Sequence, residues 1–151
     1  VPATPSPQLE FSAAELAFIE DIGLLITSGG LPRSVGRVLG LLLVCEPGHQ
    51  SAESIRQVLG ISVGSVSSAV TLLTNLQLVE KVSFIKDRRI YYKLHPQAWQ
   101  RMWEVRLQQI QRGVSLAQKG LELQPNNVRL KGLLDLYKLS NDIMQRIITT
   151  K

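Results

Sequence analysis

Along this 151-residue chain the spacing of hydrophobic residues runs at a helical period, shifts to alternation after Leu78, and then returns to a helical period. Ser12-Ala-Ala-Glu15 has the spacing of a capping box, so a first helix is predicted to follow Ser12 and run to Thr27, with Leu16, Ile19 and Leu24 among its apolar positions. Ser28-Gly29-Gly30 ends it. Pro32 suits the first turn of a second helix carrying Val35, Val38, Leu39 and Leu42, which Glu46-Pro47-Gly48 stops. Ser51 is the predicted N-cap of a short third helix, with Ile55, Val58 and Leu59 facing inward and Gly60 closing it in a tight turn. Ser62 caps the next helix, whose inward positions are Val66, Ala69, Val70 and Leu73. A helix, a turn of about three residues and a second helix make a helix-turn-helix.

Beyond Leu78, Val79, Lys81 and Ser83 alternate with Glu80, Val82 and Phe84. A polar stretch, Lys86-Asp-Arg-Arg89, intervenes before β-type residues resume at Ile90-Tyr-Tyr-Lys-Leu94. Two short strands around a basic loop predict a hairpin, which in this position is a wing. His95-Pro96 then opens a long helix with Trp99, Trp103, Leu107, Ile110, Val114, Ala117 and Leu121 at spacings of four and three. Gln124-Pro125-Asn126-Asn127 breaks it, and a last helix is predicted from about Val128 to Ile148. The apolar stripe of that last helix is too wide for one intramolecular contact, so part of it is expected to meet another chain. The fold class is therefore mainly α with a small β-hairpin wing. A flexible arm at residues 1–11 precedes a single domain at 12–151.

Composition narrows the class of partner. The net charge is +5 and the pI about 9.7, which suits a polyanion but is weak evidence alone. The distribution says more: from Lys81 to Lys119 there are nine Lys or Arg against two acids, Asp87 and Glu104. A basic block inside a folded segment is a phosphate footprint. Cys45 is the single cysteine, so no intrachain disulfide is available. Residues 38–45 are too short to span a bilayer, and the start, VPATPSPQLE, does not read as a signal peptide. A cytoplasmic protein is expected.

The helix order, with Gly30-Leu-Pro-Arg33, Gly36-Arg-Val-Leu-Gly40, Glu46-Pro47, Gln50-Ser-Ala-Glu53, Leu59-Gly60, Ser62, Gly64-Ser-Val-Ser67, Leu78-Val-Glu80, Asp87-Arg88-Arg89 and Tyr91-Tyr92, resembles the MarR-type winged-helix regulators, and within them the GbsR-like branch. The resemblance implies a homodimer whose terminal helices, 12–29 and 96–151 here, form the interface around a DNA-binding segment at 32–95. It further implies that the helix after Ser62 enters the major groove of double-stranded DNA while the wing reaches a minor groove. The chain departs from the family pattern at Arg56, where a small residue is usual, and at Lys86, which replaces a common glycine.

Read as chemistry, Ser62, Gly64, Ser65, Ser67, Ser68 and Thr71 are the candidate DNA contacts of the recognition helix. Ser65, Ser68 and Thr71 are expected on its outer side, flanked by Ser67 and Thr74. Short hydroxyls exchange hydrogen bonds with base edges and phosphates, and Gly64 permits close backbone approach. The helix has no Arg or Lys, so part of the specificity is expected from DNA shape. Lys86, Arg88 and Arg89 are the wing contacts, with Asp87 available to orient Arg89 while Arg88 reaches out. Arg33 and Arg37, spaced i, i+4, either contact the DNA backbone or clamp the helices.

Trp99 and Trp103, with Tyr91 and Tyr92 nearby, are residue types that cage a quaternary ammonium ligand, and the resembled branch includes regulators responding to choline or betaine. The plainer reading of the tryptophans is packing. Cys45, Glu46 and His49 are too few and too mixed for a metal site. There is no Ser/His/Asp set, phosphate loop or metal motif, so neither an enzyme nor a cofactor is expected. The chain is read as a DNA-binding transcriptional regulator, a ligand-responsive repressor, with a winged-helix protein-docking module as the alternative.

Overall fold

The computed structural model describes residues 9–150, so most of the arm expected at 1–11 lies outside the described residues. The chain falls into two compact units that meet between Ala98 and Trp99. The first contains α1 (Ala13–Ser28), α2 (Arg33–Val44), β1 (His49–Ser51), α3 (Ala52–Leu59), α4 (Val63–Asn75), β2 (Val79–Ser83) and β3 (Ile90–Leu94). The second is built by α5 (Ala98–Leu123) and α6 (Val128–Thr149). Helix α1 thus belongs to the unit of the helix-turn-helix rather than to that of the last two helices.

Each helix start in the first unit follows from local chemistry. The Ser12 side chain accepts from the Glu15 N–H, and Glu15 accepts in return from the Ser12 N–H, a complete capping box. Ser51 and Ser62 cap α3 and α4 in the same way, accepting from Ser54 and Ser65. Pro32 sits at the N-cap of α2, one residue earlier than predicted, where its missing N–H costs nothing. The core gathers around α2, whose Val38 and Leu41 are fully buried, as are Ile55 of α3 and Val66, Ala69 and Leu73 of α4, the helices that pack on it. Burying each such side chain is worth roughly 1.5–3 kcal/mol. Helix α1 lies close on α2: a Cβ added to Gly36 would stand 2.8 Å from the Gly23 Cα, and one on Gly40 3.1 Å from the Ile19 Cα. Leu16 and Leu24 of α1 are exposed, and Ile19 and Gly23 are the residues it buries.

The sheet is antiparallel in the order β1-β3-β2. Strand β1 has no β-type composition and is not foreshadowed by the sequence; it forms because His49–Ser51 finds the free edge of β3, pairing Gln50 with Tyr92. Its Gln50 is buried and satisfied, donating to the Pro47 carbonyl at 2.8 Å and accepting from the Ser54 hydroxyl at 2.9 Å. The start of the long fifth helix also shifts slightly. Helix α5 begins at Ala98 instead of Pro96, with His95 Nδ1 accepting from the Gln97 N–H at 3.0 Å.

Helices α5 and α6 form an antiparallel hairpin. A Cβ on Gly113 would collide with the Tyr137 ring, and one on Gly120 would touch Leu130, which fixes the register. Asn127 caps α6, accepting from the Arg129 and Leu130 N–H groups. Leu116, Leu133, Leu136, Leu139, Ile143 and Ile147 remain exposed, so the wide stripe of α6 is only partly used inside the hairpin.

Candidate nucleic-acid interface

Helices α3 and α4 are bent by 118° with respect to one another, within the range of about 90–120° for a helix-turn-helix. Gly60 makes the bend possible by taking φ +61, where a side chain would be strained, while its N–H closes α3 on the Arg56 carbonyl. Arg37 holds this turn from behind. Its Nη2 donates to the Leu59 carbonyl at 2.8 Å and its Nε to Glu20 at 2.6 Å, tying α1, α2 and the turn together. Arg33 donates to the same Glu20 at 2.6 Å. Burial alone would raise the Glu20 pKa, but the hydrogen bonds from the two arginines bring it below the ordinary value.

On α4 the predicted inward residues Val66, Ala69, Val70 and Leu73 are all buried, which turns Val63, Gly64, Ser67, Ser68, Thr71 and Asn75 outward as one stripe. Ser65 departs from its expected place on the outer side: it is half-buried, its N–H and hydroxyl both held by Ser62 within the cap. The Thr74 hydroxyl also turns inward along the helix, donating to the Val70 carbonyl at 2.6 Å. Val63 and Asn75 were not singled out by the sequence pattern, since a valine and a helix-terminal asparagine carry no polar-face signal of their own.

At the wing tip Lys86 adopts φ +70, the left-handed position for which glycine is favoured, so its side chain stands out from a turn closed by the Asp87 N–H on the Phe84 carbonyl. Asp87 accepts from the Arg89 guanidinium, the Tyr91 hydroxyl at 2.7 Å and the Arg89 backbone N–H at 2.9 Å. These bonds hold its carboxyl well below the usual carboxylate range and push the Tyr91 phenol up. Arg89 also lies 5.4 Å over the Tyr91 ring, and that ring packs edge-on against His49 and Phe84. Arg88 is exposed and makes no ion pair among the described residues. The wing therefore has an internal strut, Arg89, and a projecting cation, Arg88.

Helix face and wing strand open on one side. Ser67 and Thr71 of α4 line, with Lys81 of β2 and Tyr92 of β3, a cleft of about 300 Å³. The paired side chains of Glu53 and Arg56 border it from α3. Arg56 accordingly lies at the surface beside this face, paired with Glu53 of the same helix.

The sequence matches no family model. It is 37% identical over 84 residues to the HTH-type transcriptional regulator MmpR5 of Mycobacterium tuberculosis (strain ATCC 25618 / H37Rv), a match covering 56% of this chain and 51% of that protein. The similarity thus spans about half the length of that curated relative. A crystal structure of a transcriptional regulator is similar over 89% of this chain and 95% of its own, with a TM-score of 0.71 and 28% identity. The fold is a winged helix-turn-helix.

Within this winged helix-turn-helix the predicted residues divide into groups. Ser62, Gly64, Ser67, Ser68 and Thr71 lie on or at the head of the outer stripe of α4, and Lys86, Arg88 and Arg89 are at the wing. Arg33 and Arg37 clamp the helices through Glu20. Tyr91 and Tyr92 do not make one aromatic surface: neighbours on β3, they face opposite sides of the sheet, Tyr91 toward His49 and Phe84, Tyr92 toward the α4 cleft. Trp99 and Trp103 share a face of α5 and are 47% and 45% exposed. Cys45 is buried, and burial pushes its thiol pKa up, which disfavours the reactive thiolate. Among the described residues no three His, Cys, Asp or Glu side chains stand together as a metal site, and no single helix is long and apolar enough to cross a membrane.

Proposed function

We propose that the chain is a sequence-specific double-stranded DNA-binding transcriptional regulator of the MarR family, GbsR-like branch, acting in the cytoplasm as a homodimer and as a ligand-relieved repressor, without enzymatic activity. The observation that carries this reading is the shared cleft: Ser67 and Thr71 of α4 and Lys81 of the wing strand β2 line one opening within the same compact unit. An α-helix fills the major groove, and a neighbouring hairpin then meets the flanking backbone or minor groove. Both similar proteins described above are transcriptional regulators by name.

Dimerisation is supported by the apolar residues that the terminal helices leave uncovered, Leu24 and Leu25 in α1 and the Leu133 to Ile147 stripe in α6. Two such units with their recognition helices about one duplex turn apart read a two-fold operator. A small-molecule effector that changes that spacing lowers affinity. Trp99 and Trp103 are the side chains proposed to contact it, and choline is the first probe for titration calorimetry.

The test is a band shift on duplexes selected from a random pool, run at several salt concentrations with Arg88→Ala and Arg89→Ala. Arg88→Ala is expected to reduce the slope of log affinity against log salt by about 0.9, the value for one lost phosphate contact. Absence of salt-dependent duplex binding by the parent protein refutes the proposal and favours a protein-docking winged helix.

A further inference from the structure

The residue at the head of the outer stripe of α4 is not polar. Val63, the first helical residue after the Ser62 cap, is 71% exposed, and Ser67, Thr71 and Asn75 follow it at four-residue steps on the same face. A β-branched side chain adds little to helix stability, and exposed in the first turn it buries little apolar surface in the folded protein. Its neighbours on the stripe, Gly64, Ser67, Ser68 and Thr71, are all short, so no long side chain of α4 itself holds the helix away from a groove floor.

We infer that Val63 is a specificity-determining residue that packs on the C5-methyl group of a thymine in the major groove. This rests on the DNA-binding reading above and deepens it. Residues in the first turn of a recognition helix are the ones that meet base edges. Of the four base-pair orientations, only those containing thymine present a methyl group there, and the others present hydrogen-bonding atoms that a valine leaves unpaired. Helix α4 carries no Arg, Lys or Gln on its exposed stripe, so the bidentate recognition of guanine by a long cation is not available from it. The Ser67 and Thr71 hydroxyls, one and two turns further on, supply the adjoining hydrogen bonds.

The experiment removes the methyl without changing any hydrogen bond. Once a bound sequence has been selected, each thymine is replaced in turn by deoxyuridine, and affinity is measured for the parent protein and for Val63→Ala. One position in each half-site is expected to weaken the parent about fourfold, the effect of one buried methyl, and to leave Val63→Ala unchanged. At that same position, in a C·G pair, 5-methylcytosine is expected to bind the parent about fourfold better than cytosine. Deoxyuridine substitutions without effect, or with equal effect on both proteins, overturn the assignment of Val63 while salt-dependent binding leaves the DNA-binding reading in place. Failure of the parent protein to bind any duplex overturns both. Because Val63 is exposed, the variant keeps its fold, and its melting temperature is measured alongside to establish this.

Discussion

Replacing Gly64 by alanine separates folding from DNA binding, because the two respond in opposite directions. Gly64 lies in the first turn of α4, is exposed, and has a backbone conformation open to any residue. A Cβ built there meets only the Ser62 Oγ, at 3.9 Å, which is ordinary van der Waals contact. Nothing in the folded protein resists the change, so the helix gains the usual advantage of alanine over glycine, about 0.5–1 kcal/mol. For a chain of this length that raises the melting temperature by roughly 1–4 °C. In the complex proposed above, the same methyl group would lie between the helix backbone and the duplex. If its presence breaks one or two hydrogen bonds, each worth about 0.5–1.5 kcal/mol net, affinity falls roughly tenfold. The slope of affinity against salt is expected to stay the same, since no cation has been moved. Calorimetric melting and fluorescence anisotropy with a labelled operator at fixed salt measure the two effects, with Ser68→Ala as the control that alters the face without adding bulk. A Gly64→Ala protein that is stabilised and binds as tightly as the parent refutes the placement of this face against DNA.

Glu20→Gln removes the charge that receives both Arg33 and Arg37, and at neutral pH it is expected to cost about 1 kcal/mol in urea denaturation after allowing for the partial exposure of the pair. The Glu20 pKa is lower folded than unfolded, so its contribution is complete above about pH 4.3 and disappears as pH falls through the folded value; an equal gap between the two proteins well below that range contradicts the assignment. Carbon-detected NMR titration of Asp87 is expected to give a pKa below the normal range in the parent and a higher one in Arg89→Ala, with the wing's amide shifts following the same curve. Gly36→Ala is expected to destabilise the protein by about 1 kcal/mol net despite the better helix former, because the new Cβ would stand 2.8 Å from the Gly23 Cα and the two backbones must separate; a thermal melt above that of the parent excludes the close crossing of α1 and α2.

Much of the architecture is legible in the chain because its signals are local. A serine three residues ahead of the N–H it caps, a glycine where the backbone must turn left-handed, and a change of hydrophobic period all act within one or two turns. Ser12, Ser51, Ser62 and Gly60 therefore mark their helix ends in sequence as they do in space. The wing chemistry was legible for the same reason, since Asp87 and Arg89 are two residues apart.

What escapes the sequence depends on partners far along the chain. Strand β1 exists only because the edge of β3 is there to pair with it. Arg33 and Arg37 are alike as sequence, yet the approach of Glu20 and the Leu59 carbonyl makes them a clamp. Likewise the choice of Val63 as an exposed residue, while Val66 and Val70 on the same helix are buried, was made by where α2 and α3 press against α4. Local hydrogen-bond geometry fixes the elements; the direction each side chain faces is set by packing between elements, and only the folded chain contains that information.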